Sequence, residues 1–133
     1  MLKKFIISIP VLLAILFAAN PSFSADFKNV DVEQAKANID AKKYALILDV
    51  RTPQEYTGAL GHIKGSKLIP IQELGTKLKM LSSYKDKNIL VHCKSGGRSS
   101  RAANFLSENG FPLTENMLGG MLEWNNKGFP IEK

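Results

Sequence analysis

Two uninterrupted apolar runs constrain the fold of this chain more than any other feature. They are "YALILDV" at residues 44–50 and "KNILVHC" at residues 87–93. A strand that is apolar on both faces is typical of a parallel sheet covered by helices on both sides. Stretches with apolar residues at helical spacing alternate with these runs. The sequence therefore predicts a doubly wound α/β domain with a parallel sheet.

Capping residues, proline and glycine indicate where the other elements begin and end. Asp31 is placed to cap a helix over residues 32–43, and Thr52, Pro53 and Glu55 have the spacing of a short capped helix. Gly110 follows the helix expected after residue 97. We also expect short strands within 66–71 and 115–118, a helix within 71–84 and a last helix within 119–128.

The first 24 residues have the layout of a secretory signal peptide. Lys3 and Lys4 precede an apolar stretch at residues 5–19, and the small residues Ser22 and Ser24 suit a cleavage site. We therefore predict a signal peptide at 1–24, a single domain at 25–133, export to the periplasm and no stable membrane span after cleavage. Retention of the stretch as an N-terminal anchor is the alternative. No cysteine follows it closely, which excludes a lipoprotein anchor.

The charge pattern argues against a nucleic-acid partner. The 133-residue chain has a formal net charge of +6, and cleavage would remove two lysines and no acid. The remaining lysines are scattered, without the aromatic residues that accompany single-strand binding. We predict no nucleic-acid binding, and a mildly basic surface that favours small anions.

The only cysteine, Cys93, stands where a buried strand meets a helix. A single thiol forms no internal disulfide, so in an exported protein it is either buried and inert or reactive. The turn "KSGG" contains Gly96 and Gly97, which admit unusual backbone angles and can aim several N–H groups at one anion. The helix start, Lys94 and Arg98 add positive charge. We therefore expect a thiol pKa below about 8.5 and a reactive thiolate.

Two reactions use a cysteine held in this way. One is phosphate-ester hydrolysis and the other is transfer of a single sulfur atom as a persulfide. Cysteine phosphatases have five residues between cysteine and arginine, whereas Cys93 and Arg98 are separated by four and Ser99 occupies the next position. The shorter loop closes a smaller cradle, which favours sulfur transfer over phosphatase or arsenate reductase chemistry.

Four segments in order resemble the single-domain rhodaneses, which are thiosulfate-type sulfurtransferases. They are "LILDVRTPQEY", "GHIKGSKLIP", "ILVHCKSGGRSSRAANFLSENGF" and "LGGMLEWNNKGFPIE". The resemblance implies a three-layer α/β/α fold with a five-stranded parallel sheet, no cofactor, and a Cys93 persulfide. It implies a small sulfur-containing anion as donor, and a small thiol, a protein thiol or cyanide as acceptor. A sulfur carrier with little turnover and a silent binding module are alternative functions.

The resemblance also assigns site residues. It assigns substrate binding to the loop after the nucleophile. In that loop, main-chain N–H groups from Lys94 to Arg98 would stabilise the sulfur anion, and Lys94 would attract the donor. Asp49, Arg51 and Glu55 would form a charged rim that braces the loop. The complete set of expected substrate-binding residues is Lys94, Ser95, Gly96, Gly97, Arg98 and Ser99.

Several other features have simpler interpretations. Strand alternation directs His92 away from Cys93, so we expect a packing role rather than a catalytic base. His62 is expected at a turn, and the scattered histidines predict no metal site. The glycines at 119–120 either start the last helix, which we favour, or let the chain pass close to the active loop. The stretch 57–60 is longer than the commonest spacing in the rhodanese family. Ser66 and Leu68 also differ from the residues that the family usually has at these positions, so the choice of donor stays open.

Overall fold

The protein forms one five-stranded sheet, seen in a computed structural model that describes residues 26–133. The predicted signal peptide lies outside these residues. All neighbouring strands are parallel, in the order β1-β5-β4-β2-β3. The strands are β1 (Lys28–Val30), β2 (Leu46–Asp49), β3 (Lys67–Leu68), β4 (Ile89–His92) and β5 (Thr114–Met117). The predicted parallel sheet is confirmed.

Within residues 26–133, four α-helices connect and cover the strands, and two of them begin as the local sequence predicts. Asp31 accepts a hydrogen bond from the Gln34 N–H at the start of α1, and Thr52 and Glu55 form a reciprocal capping box at the start of α2. The helices are α1 (Val32–Asp40), α2 (Pro53–Tyr56), α3 (Gly97–Glu108) and α4 (Gly120–Asn126).

The segment between β3 and β4 differs from the helix expected over residues 71–84. It forms two 3-10 helices, Ile71–Glu73 and Leu78–Tyr84, separated by a turn at Gly75. Leu74 and Leu81 are nevertheless buried in the core. The apolar spacing therefore identified the inward-facing residues but not the hydrogen-bond pattern, because short 3-10 turns bury these positions as well.

The core has two halves, one on each face of the sheet. Alternate residues of β4 contribute to them, with Ile89 and Val91 in one half and Leu90 in the other. Because β4 lies between β2 and β5, its carboxyl end is flanked by strand ends on both sides. Parallel sheets bind ligands at this edge. Among the described helices, none has the length and apolarity needed to cross a membrane.

Candidate active site

The sulfur of Cys93 lies at the start of α3, one residue beyond the end of β4. The N–H of Gly96 donates to Sγ at 3.1 Å and the N–H of Ser99 donates to it at 3.3 Å. The thiol itself donates to the Ser99 hydroxyl oxygen at 3.3 Å, and that hydroxyl donates to the Gly96 carbonyl. The first N–H groups of a helix have no partners within the helix, so they are free to bind an anion placed there.

These contacts favour the thiolate. Burial raises the pKa of Cys93, because the residue is only 1% exposed. The hydrogen bond with the Ser99 side chain and those from the N–H groups of Ser99, Gly96 and Ser95 together outweigh burial, so the pKa is lowered overall. The sequence predicted this direction. The amides face the sulfur, although hydrocarbon core residues lie behind it.

The two loop glycines have different roles. Gly96 has a φ of +109°, in the left-handed region that other residues rarely adopt. Gly97 begins α3 with ordinary helical geometry, and a Cβ atom there would meet nothing within 4 Å. The expectation that both glycines supply unusual angles is therefore correct for Gly96 and wrong for Gly97.

The expected set of amide donors is also narrower than Lys94 to Arg98. Within the described part of the chain, no hydrogen bond joins Sγ to the N–H of Lys94, Gly97 or Arg98. Ser99 contributes both its N–H and its hydroxyl group instead. The hydroxyl contact was open to sequence reasoning, since a helix places the third residue of its first turn near the anion bound at its start.

The start of α4 holds the loop from the opposite side. The N–H groups of Met121 and Leu122 donate to the carbonyl groups of Cys93 and Lys94, at 2.9 and 3.0 Å. A Cβ atom on Gly120 would lie about 2.5 Å from the Lys94 carbonyl carbon and oxygen. The two interpretations of the paired glycines are therefore both correct: Gly119 caps α4, and Gly120 permits the close approach.

The side chain of Arg98 contacts α2. Its guanidinium donates two hydrogen bonds to the Glu55 carboxylate, at 2.6 and 2.8 Å. This bidentate pair joins elements that are 43 residues apart in sequence. It holds the pKa of Glu55 at about 2, mainly through the Arg98 hydrogen bonds, and raises the pKa of Arg98. Glu55 thus connects α2 to the first turn of α3.

Asp49 and Arg51 do not form a rim. Both side chains are 0% exposed, and Arg51 Nη2 lies 2.7 Å from Asp49 Oδ2. Arg51 also donates to the carbonyl groups of Gly61 and Glu55. The expected charged rim is corrected for these two residues, because satisfying so many acceptors turns the guanidinium inward, beneath α2.

The two histidines have separate surroundings. His92 is fully buried, with Nε2 3.9 Å from Asp49 Oδ2 and no hydrogen-bond partner for either ring nitrogen among the described residues. Burial lowers its pKa to about 4, although the Asp49 charge opposes this effect, so the ring is neutral at pH 7. His62 stacks on Tyr56, with ring centroids 3.7 Å apart, and Nδ1 lies 2.8 Å from the Tyr56 carbonyl oxygen.

A cleft of about 270 Å³ opens beside the loop. Lys94 of the loop and the segment after α2 both line it. Lys94 is exposed, and no carboxylate in the described chain lies within ion-pairing distance of it. The described residues contain no group of three or more ligand side chains that could hold a metal ion. The lining residues are Arg51, Gln54, Glu55, Gly58, Ala59, Leu60 and Lys94.

The fold and the cysteine at the helix start define an α/β protein with a cysteine loop whose N–H groups face the sulfur. The rhodanese-like domain family matches residues 31–127, which is most of the chain. The chain therefore belongs to the rhodanese-like family.

Relatives of this chain include proteins named for sulfur transfer. A sulfurtransferase of Allochromatium vinosum is 29% identical over 102 residues, covering 77% of this chain and 92% of that protein. The chloroplastic thiosulfate sulfurtransferase 16 of Arabidopsis thaliana is 36% identical over 95 residues, covering 64% of this chain and 78% of that protein. Sulfur transfer is thus the activity that these family members share by name.

A solved structure supports the same assignment. The rhodanese-related protein of Thermoplasma volcanium superposes with a TM-score of 0.69 at 36% identity. The match covers 78% of this chain and 96% of that protein. The rhodanese-like fold predicted from the four segments is therefore confirmed.

Proposed function

We propose that the protein is a sulfurtransferase that carries sulfane sulfur as a persulfide on Cys93. The observation that carries this proposal is the pair of main-chain N–H groups, from Gly96 and Ser99, that donate to Sγ. They stabilise the thiolate, which is the nucleophilic form of cysteine. Membership of the rhodanese-like family gives the sulfur chemistry that such a thiolate performs.

In the first half-reaction, the Cys93 thiolate attacks the outer sulfur of a donor such as thiosulfate or a polysulfide. A new S–S bond forms at Cys93, and the donor's S–S bond breaks with its electron pair leaving on the remainder of the donor. The N–H groups of Gly97 and Arg98, which open α3 and do not contact Sγ, are available to the added sulfur. Lys94, which has no ion-pair partner within residues 26–133, contributes a positive charge that attracts an anionic donor.

In the second half-reaction, an acceptor thiol, a protein thiol or cyanide attacks the outer sulfur and regenerates the thiolate. Cys93 is only 1% exposed, whereas the added sulfur would extend toward the loop opening. A second candidate is a sulfur carrier that releases its cargo only to a specific partner, and it is supported by the 32% identity over 104 residues to a Bacillus subtilis protein named as a sulfur carrier. The carrier would accept sulfur normally but release it slowly to small thiols and to cyanide.

Intact-protein mass spectrometry tests the proposal. After incubation with thiosulfate or polysulfide, we expect the mass to increase by one sulfur atom, and Cys93→Ser to show no increase. Ser83→Ala is the control, since it removes an exposed hydroxyl group outside the active loop. If no donor adds sulfur to the wild-type protein, the proposal is wrong. Fast discharge by cyanide supports the enzyme, and slow discharge supports the carrier.

We further propose that the protein is exported to the periplasm after removal of residues 1–24. The support is the charged start, the apolar stretch and the small residues before Ala25. The N-terminal sequence of protein purified from the periplasmic fraction tests this, with Ala25 as the expected first residue. An intact N-terminus on membrane-associated protein would instead indicate a retained anchor.

A further inference from the structure

Two exposed leucines flank the point where α4 meets the active loop. Leu118 and Leu122 are each 47% exposed, and they are two of the four large hydrophobic residues that are exposed in the described part of the chain. The Leu122 N–H donates to the Lys94 carbonyl group at 3.0 Å. Leu118 precedes Gly119, whose nitrogen lies 3.5 Å from where a Cβ atom on Gly96 would stand. Both leucines are therefore attached to backbone that contacts the loop.

A groove with an excess of negative charge includes Leu118 in its wall. It lies between the start of α1 and the start of α4, and its volume is about 300 Å³. Its charged lining residues, which define the acidic groove, are Asp31, Glu33, Glu123 and Lys127. The Lys127 ammonium group lies 2.9 Å from the Glu33 carboxylate and 3.9 Å from that of Glu123. Three carboxylates thus accompany one ammonium group, which leaves a local excess of negative charge in a chain whose overall formal charge is +6.

The combination of hydrocarbon and carboxylates matches a basic side chain of another protein. Lysine and arginine lay their aliphatic stems along apolar surface and keep the charged group among polar atoms. In the acidic groove, Leu118 supplies the apolar surface, and Glu33 and Glu123 supply the negative charge. Protein interfaces likewise combine an apolar centre with a polar rim, and complementary charge directs the approach of the partner. The surface therefore fits a protein that presents apolar and basic side chains together.

We propose, building on the persulfide function, that Leu118, Leu122 and the acidic groove form the docking surface for a protein sulfur acceptor whose cysteine is flanked by apolar and basic side chains. An apolar side chain of the acceptor covers the two leucines, and a lysine or arginine enters the groove. The acceptor thiolate attacks the outer sulfur of the Cys93 persulfide, Cys93–S–SH. A new S–S bond forms on the acceptor, which receives the outer sulfur with its hydrogen. The Cys93 S–S bond breaks and its electron pair returns to Sγ, so no oxidant or reductant is needed.

Discharge of the loaded protein by two cysteine peptides tests the acceptor class. Each five-residue peptide has a central cysteine between two leucines, and its end residues are arginine in one peptide and glutamate in the other. Each rate is divided by the rate of the same peptide with mercaptoethanol persulfide, which removes differences in intrinsic thiol reactivity. At low salt, we expect the basic peptide to react about tenfold faster. An equal or faster rate for the acidic peptide, which the Lys94 charge favours, would overturn this inference and leave the persulfide function intact. Failure to load any sulfur would instead overturn the persulfide function.

Leucine substitutions locate the apolar part of the docking surface. We expect Leu118→Ser and Leu122→Ser each to slow discharge by the basic peptide about threefold, because a half-exposed leucine loses its apolar contact. Both variants should load sulfur at the wild-type rate, which shows that they fold. Leu113→Ser is the control, since Leu113 is 45% exposed and precedes β5, at the opposite edge of the sheet. Unchanged discharge in both leucine variants, or an equal loss in Leu113→Ser, would overturn the docking surface.

Removal of one carboxylate charge tests the acidic groove. Glu33→Gln changes an exposed residue and keeps the length of its side chain, so the fold should tolerate it. We expect the ratio of basic-peptide discharge to acidic-peptide discharge to fall about threefold, as for one exposed ion pair. Glu108→Gln, at an exposed position at the end of α3, is the control and should keep the wild-type ratio. An unchanged ratio in Glu33→Gln, or an equal fall in both variants, would place the basic side chain elsewhere and overturn the inference.

Discussion

Two arginine–carboxylate pairs stand near the nucleophile, and they differ in burial and in reach. Asp49 and Arg51 are two residues apart and both are 0% exposed. Glu55 and Arg98 are 43 residues apart, and each side chain is just over a quarter exposed. The first pair is local in sequence and completely desolvated, whereas the second connects α2 to the start of α3 and remains partly hydrated.

The difference in burial gives the two pairs different roles, since one stabilises the fold and the other positions the active loop. An ion deprived of its partner in the interior keeps its full desolvation cost, so loss of either member of the buried pair is expensive. A partly hydrated ion pair contributes little to stability, because water replaces the lost partner. The Glu55–Arg98 pair therefore matters for where it holds the active loop, and the Asp49–Arg51 pair matters for whether the chain folds.

The largest effect is expected from breaking the buried pair. Arg51→Met leaves Asp49 as an uncompensated buried charge, and we expect the free energy of unfolding to fall by about 3–5 kcal/mol. Urea denaturation measures this change. Arg101→Met, at an exposed position on α3, is the control and should change stability by less than about 0.5 kcal/mol. Equal midpoints for the two variants would contradict the role assigned to Arg51.

His92 beside the buried pair and Glu55 of the exposed pair should lose their contributions to stability at different pH values. His92, beside Asp49, has a pKa near 4 in the folded protein and near 6.5 when unfolded. The unfolded chain therefore protonates His92 at a higher pH than the folded protein does. The contribution of neutral His92 to the free energy of unfolding is fully present above pH 6.5, and it falls by up to about 3 kcal/mol as the pH drops toward 4. Glu55 has its pKa lowered from 4.5 to about 2. Its contribution persists above pH 4.5 and is lost as pH falls through 2.

Stability measured against pH distinguishes these contributions. His92→Leu should flatten the slope between pH 6.5 and 5, where Glu55 is largely ionised in both the folded and the unfolded protein, whereas Glu55→Gln should leave that slope as in the wild type. Proton NMR of the wild-type imidazole gives a direct check, since the His92 ring should stay neutral until about pH 4. A ring that titrates near 6.5 would show that burial does not control its charge.

The smallest effect on stability is expected at the exposed pair. Glu55→Gln removes the charge but keeps an acceptor for the Thr52 N–H, so we expect a loss of less than about 1 kcal/mol. Sulfur loading should slow by about tenfold, because the first turn of α3 is no longer held against α2. Glu73→Gln breaks the exposed pair with Lys77 and is the control for both measurements. A loss of stability in Glu55→Gln comparable to that in Arg51→Met would show that the two pairs do not have different roles.

Features whose causes lie within a few residues were predictable. The Asp31 cap, the Thr52–Glu55 capping box and the buried strands β2 and β4 follow from local hydrogen bonding and apolar pattern. The lowered pKa of Cys93 was predictable for the same reason, because its donors lie within six residues of it.

Features that depend on distant parts of the chain were not predictable in detail. The inward turn of Arg51 depends on the Gly61 carbonyl, and the approach of Gly120 depends on the Lys94 backbone. The 3-10 geometry over Leu78–Tyr84 depends on packing against the core rather than on local preference. In each case the deciding contact comes from tertiary packing, which no local pattern records.

The sequence by itself determined the parallel α/β class, the element starts and the placing of the single thiol at a helix N-terminus. Each of these depends on periodicity or on hydrogen bonds that close over a few residues. Only the tertiary structure decided which arginine is buried, which one braces the loop and which lysine is left free beside the cleft. Those outcomes depend on the strand order, which brings residues far apart in sequence to one edge of the sheet.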